Sequence, residues 1–378
     1  MRRRATLARF VLDHSLLLLA GMIAAVIWAN VDLPSYGLVT RPLHFLVNDV
    51  GMVFFFALAA KEVFEATLPG GPLASPRQAL SPLAAAVGGM VAPAAIYVLL
   101  TSTIGPAELG RGWAIPCATD IAFSAMVARV IFPAGHPAIP FLLLLAIADD
   151  ALGLIILAVF YPSGDLSLVA LVSLLSAAMV VAYWLRRRNV RSFWPYVLFA
   201  GSLSWAALYW GGLHPSLALV PIVPFMPHGG PKRGVVDSTD SDHANTLKRF
   251  EHWWATPVQV VLLCFGLVNA GVPFGHLGPG TLFVLTALLV GKPVGILLFS
   301  LGARAMGASL PPGLRMAEVV VVGLAAAIGF TVALFFATVA FPAGPLLAEA
   351  KMGALLSFAA APLAVLSARL VRRRPEPS

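Results

Sequence analysis

Long apolar blocks alternate with short polar breaks along this chain, and no block shows the strict alternation of a membrane β-strand. The blocks fall at roughly 12–29, 43–64, 80–102, 113–132, 139–160, 166–185, 193–210, 213–226, 257–270, 281–303, 317–341 and 350–371, the eighth and ninth being short. Most approach the ~20 residues that a helix needs to cross a bilayer. The pattern predicts an all-α polytopic membrane protein of about twelve transmembrane helices, forming one domain over residues 1–378. The one sizeable polar segment, 227–256, is rich in Gly, Pro, Asp and Lys and is expected to be a linker between the first eight spans and the last four. The low charged fraction, 11% against about 25% in soluble domains, agrees with this class.

Charge adds an orientation. The net charge of +8 could suggest nucleic acid, but the basic residues follow the topology instead. With the N-terminus placed in the cytoplasm, twenty of the 25 Lys and Arg residues fall inside, and only Arg41, Arg111 and Lys351 fall outside. Lys61 and Lys292 lie within spans. This bias is that of the positive-inside rule, and it places both termini in the cytoplasm. The expected partner is therefore the lipid bilayer, with no nucleic acid. The run after Met1-Arg2-Arg3-Arg4 is too long for a signal-peptide core and is read as a first span. Cys117 and Cys264 both sit in apolar runs, so no disulfide framework is expected.

The chemistry is concentrated in Ala148-Asp149-Asp150-Ala151, near the middle of the apolar run 139–160. A charge at the bilayer centre costs at least ~2.5–3.5 kcal/mol, so adjacent aspartates there mark an ion or proton path. Neighbouring helical positions point about 100° apart. One aspartate can therefore line an aqueous cavity while the other meets a neighbouring helix, and Lys292 in Gly291-Lys292-Pro293 is the best-placed cation. Pro116, just before Thr119-Asp120, and the sequence Ile328-Gly329-Phe330-Thr331 mark two weak points in helices. Discontinuous helices expose partial charges that Asp120 and Lys292 could offset. Two carboxylates, a hydroxyl and freed carbonyls suit a hard cation. Asp49, Lys61, Glu62 and Glu65 suit either a vestibule or a structural role. His44, Arg129, Glu318, Lys351 and Arg369 lie near span ends and are expected to reach water or headgroups, as is His214.

Ala118-Thr119-Asp120-Ile121-Ala122-Phe123, Asp149-Asp150, Gly291-Lys292-Pro293 and Gly329-Phe330-Thr331 together resemble the NhaA family of sodium/proton antiporters. The resemblance extends to Asn48-Asp49, Gly88-Gly89-Met90 and Asn269-Ala270-Gly271-Val272. It implies inverted repeats with two crossed discontinuous helices. It also implies export of Na⁺ or Li⁺ for a larger number of protons across the bacterial inner membrane, with control of intracellular pH and sodium and no cofactor. By the same resemblance Asp150 is the ion carboxylate, Asp149 its partner and Thr119 a cation ligand. Asp120 and Lys292 compensate the broken helices, and Glu62, Glu251 and His252 belong to the cytoplasmic entrance and pH response. The chain departs from the family where an entrance acid has become Ala66 and a histidine Ala255. The segment 30–42 is too short for the β-hairpin that joins family dimers, which leaves any homodimer to other contacts.

Other classes fit the residues less well. An intramembrane aspartyl protease needs its aspartates on separate helices, and a channel has no use for proton-competing carboxylates. A sodium-coupled organic anion symporter of related fold is the nearest alternative. Such a site is expected to be less acidic and has no need of Lys292 beside the pair.

Overall fold

The computed structural model describes residues 16–228 and 245–372, and among these all regular structure is helical. The start of the first apolar run, Arg2–Arg4 and Arg9, linker residues 229–244, and Arg373 and Arg374 lie outside the described residues. In chain order the helices are α1 (Leu16–Val31), α2 (Leu33–Thr40), α3 (Met52–Thr67) and α4 (Pro76–Thr103). A short helical stretch, Ala107–Cys117, precedes α5 (Ile121–Ile131). There follow α6 (Ala138–Phe160), α7 (Leu168–Arg187), α8 (Ser202–Gly211) and α9 (Thr246–Asn269). The last six are α10 (Pro279–Thr286), α11 (Lys292–Ala305), α12 (Met316–Ala326), α13 (Phe330–Ala340), α14 (Pro345–Leu356) and α15 (Ala360–Arg372).

Two spans are broken. Ala107–Cys117 meets α5 at a bend of 53°, and α12 meets α13 at 52°. Each is preceded by a long helical span, α4 or the continuous run Pro279–Ala305, and followed by another, α6 or Pro345–Val371. The same order of elements thus occurs twice. α4 and α11 pack together through glycines: a Cβ on Gly295 would stand 2.0 Å from the Gly88 carbonyl oxygen. Only glycine at this crossing lets the two backbones touch, and that approach brings the start of α11 to the first break.

Two expectations are corrected. First, residues 213–226 do not form a spanning helix; they fold into two 3₁₀ turns, Pro215–Leu217 and Val223–Phe225. Pro215, Pro221, Pro224 and Pro227 withhold the backbone donors a helix needs. Leu217, Leu219, Ile222, Val223 and Met226 are buried, and irregular backbone at membrane depth is tolerated where protein covers it. Second, the linker ends at Asn245, because α9 begins at Thr246, well before 257. Asn245 caps it, its side chain accepting from Lys248 N at 3.2 Å, and the fully buried Leu247 and Phe250 supply an apolar face. The segment 30–42, read as too short for a β-hairpin, is mostly helical. Asp32 accepts from Ser35 N at 3.1 Å and Pro34 sits in the first turn of α2.

The two ends of the bundle carry different sets of charged residues. Arg191 and Lys248 share the end at which α9 begins, since Thr246 Oγ1 donates to the Arg191 carbonyl at 2.8 Å. Glu62 and Lys61 lie at that end too, with Lys61 bonded to Glu251 at 2.5 Å. Arg41 and Lys351 lie at the other end, around a common cavity.

Candidate ion site at the crossing of two broken helices

The breaks meet face to face. Asp120 N donates to the Ile328 carbonyl at 2.7 Å, linking the extended residues of one break to those of the other. Gly329 must be glycine here, because a Cβ would come within 2.8 Å of the Ala118 carbonyl oxygen. Asp120 is the N-cap of α5, and its Oδ1 accepts from Phe123 N at 3.3 Å. Its Oδ2 accepts from Thr331 N, in the first turn of α13, at 3.2 Å, and also from Thr331 Oγ1. One buried carboxylate therefore satisfies donors at two helix N-termini, where the positive ends of the helix dipoles converge. Thr331 completes this arrangement. Its position directly after the Gly329-Phe330 break was visible in sequence, whereas its bond across 211 residues was not.

Lys292 answers from the opposite polarity. Its fully buried Nζ donates to the Cys117 carbonyl at 2.5 Å, at the C-terminal end of the first half-helix. The same Nζ lies 3.1 Å from Asp149 Oδ2. A π-helical turn, Ala287–Gly291, delivers it to this point. Thr119 Oγ1 also donates to Asp149 Oδ2, at 2.6 Å, while Asp149 Oδ1 is buried with no partner. Breaking such a buried pair by removing one partner typically costs ~3–5 kcal/mol, since it strands the other charge.

Asp150 turns away from this network. It is half-buried and has no hydrogen-bond partner among the described residues. It lines a cavity of about 210 Å³ that also touches Glu62, Thr119, Asp120, Gln259 and Thr331. On its other side Phe55, Phe56, Leu154, Leu157, Phe335 and Phe336 close around a residual cavity of about 20 Å³. Beyond this apolar plug lies a vestibule of about 700 Å³ lined by Asn48, Asp49, His214 and Lys351 among others. The site is thus open toward Glu62 and shut toward the vestibule.

The entrance residues are divided. Lys61 Nζ bonds Glu251 at 2.5 Å and Glu65 at 2.8 Å, tying α3 to α9 beside Glu62. His252, one position along, points away and lines a separate surface hollow with Phe193, Lys248, Arg249 and Trp253. Adjacent helical residues diverge by about 100°, which separates it from Glu251. His214 is not interfacial: it is buried, with Nδ1 2.8 Å from Ser216 Oγ and Nε2 4.0 Å from Asp49 Oδ1. Lys351 is likewise buried, against the expectation that it reaches headgroups.

Apolar spans, two broken helices crossing back to back and a carboxylate pair at the crossing define a membrane transporter of the broken-helix class. The solved structure of the sodium proton antiporter MjNhaP1 from Methanocaldococcus jannaschii shares the fold, with a TM-score of 0.54 over 94% of this chain and 90% of that one, at 15% identity. A family model described as Na⁺/H⁺ antiporter 1 matches residues 9–368. Proteins named Na(+)/H(+) antiporter NhaA are similar throughout: 46% identical in Geobacter sulfurreducens, over 99% of this chain and 100% of that one. The relative in Jannaschia sp. is 46% identical over 96% and 97%, and that in Desulfitobacterium hafniense 47% over 94% and 93%. The chain belongs to the NhaA family of Na⁺/H⁺ antiporters.

Proposed function

We propose that this protein exchanges Na⁺ or Li⁺ for protons at Asp149–Asp150, across the bacterial inner membrane. The observation that carries the reading is the inequality of the two carboxylates. Asp149 is held by Lys292 and Thr119, whereas Asp150 is unpartnered and faces the cavity that leads to Glu62. An unpartnered carboxylate in a water-accessible cavity is a competition site: it holds a proton or, once deprotonated, a partly dehydrated cation. Thr119, which lines the same cavity, and the unpartnered Oδ1 of Asp149 are the further oxygens assigned to that cation. Asp120 and Lys292 offset the helix-end charges, so that the crossing tolerates a change of occupant. Glu62 attracts cations to the entrance, and Glu251 fixes it through Lys61. His252, on the outer surface, has at most a remote part in the pH response.

The Glu62 end, with Arg191 and Lys248, fits the cytoplasmic side by the distribution of basic residues. On this reading the protein is open inward and exports sodium, so controlling intracellular pH and sodium. Two carboxylates and a lysine can release more protons than the charge of the Na⁺ they take up, which makes the exchange electrogenic. Symport of an organic anion is disfavoured, since such a substrate would meet Glu62, Asp120 and Asp150 in one cavity. The test is Na⁺-driven proton movement in sealed proteoliposomes, with and without an imposed potential. Each net charge gains about 2.3 kcal/mol per 100 mV. Sodium transport without proton movement, or at a rate indifferent to potential, contradicts the proposal.

A further inference from the structure

The vestibule on the far side of the phenylalanine plug has a charge pattern that cation transport does not explain. Two cationic side chains, Arg41 and Lys351, line it beside the imidazoles of His44, His214 and His276, against one acid, Asp49. Arg41 and Lys351 are two of the three basic residues that the sequence assigns to the outer face. Lys351 has only 7% of its surface exposed. No carboxylate of the described residues lies within ion-pair reach of its Nζ. Glu349, two positions earlier on α14, is engaged by Gly280 N at 2.8 Å. His44 lines the same cavity. A buried ammonium without a counter-charge is costly: it either gives up its proton or takes a counter-charge from solution.

We propose that the vestibule binds a small monovalent inorganic anion, of the chloride type, between Lys351 and His44, with Arg41 at its rim. Val268, Val339, Phe341, Pro342 and Leu347 are among the other residues of its wall. Such a half-apolar lining suits a weakly hydrated halide better than a doubly charged phosphate, whose dehydration costs more. The anion serves as a counter-charge. It neutralises the field that Lys351 sets across the outer path, and a cation released through the plug then meets a neutral wall. The site itself stands apart from the exchange mechanism; only this role rests on the proposed function.

The test uses the purified full-length protein. Crystals soaked in bromide should show anomalous density beside Lys351 Nζ, displaced by chloride and not by gluconate. Lys351→Met should lose that density and Lys351→Arg should keep it. If Lys351→Met fails to fold, the chloride competition and the arginine variant still decide. In proteoliposomes, replacing chloride by gluconate on the vestibule side should raise the apparent KM for Na⁺ from that side roughly tenfold, the low end of what a charged cleft does to local ion concentration. Absence of bromide beside Lys351 in the wild type, or its persistence in Lys351→Met, overturns the site. Bromide bound there with an unchanged KM overturns the counter-charge role while leaving Na⁺/H⁺ exchange untouched.

Discussion

Asp149 and Asp150 are neighbours with opposite situations, and substitutions should separate them. Asp150 makes no hydrogen bond among the described residues, so Asp150→Asn should leave thermal stability nearly unchanged while abolishing Na⁺-driven proton movement. Asp149→Asn removes the charge opposite Lys292 and should cost about 3–5 kcal/mol of stability. Pairing it with Lys292→Met should recover much of that loss, because no buried charge is then left alone. A double-mutant cycle on melting temperature in detergent checks this: additive losses would show that the pair does not act as one unit. The adjacent aspartates and Lys292 are legible in sequence because charge inside an apolar run is rare and expensive. The direction in which each aspartate faces is not, since helical spacing fixes only the angle between them.

At the level of elements, the crossing depends on Asp120 reaching two helix starts. Thr331→Val removes a buried hydroxyl bond to Asp120 and should cost about 1–3 kcal/mol. Thr331→Ser retains the hydroxyl and should behave nearly as wild type. Equal melting temperatures for the valine and serine variants would remove Thr331 from the account. Both breaks were marked in sequence, one by Pro116 and one by Gly329. Their contact was not, because the Ala118 carbonyl and Gly329 lie some 200 residues apart and nothing local records the meeting. The segment 213–226 is a different case: its composition reads as a short span, but its own prolines leave only turns.

At the scale of the molecule, the proposed exchange at Asp149–Asp150 should make pH act first through the site. Cation binding requires a deprotonated carboxylate, so lowering the pH should raise the apparent KM for Na⁺, and saturating Na⁺ should recover most of the rate. His252 lies on the outer surface, away from Glu62 and Glu251, so His252→Ala should shift the profile only slightly. Rates measured against Na⁺ at several pH values decide the matter: a maximal rate that falls with acid while KM stays constant would demand a separate sensor. The α2 helix that replaces a hairpin concerns assembly. A dimer of this protein should rest on helix contacts and lipid and dissociate in harsh detergent, as size measurements before and after detergent exchange would show.

The sequence by itself determined the class of the molecule: membrane spans, the deep aspartates and their lysine. Each is written in local hydropathy or in a charge placed where solvation is missing, and the bilayer makes both unambiguous. The tertiary structure alone decided which carboxylate is held and which is open. It also decided that Lys61, not His252, accompanies Glu251, and that Lys351 is buried beside a vestibule. These depend on how helices distant in sequence are rotated against one another. That rotation is fixed by packing such as the Gly88–Gly295 contact, of which a single stretch of residues carries no trace.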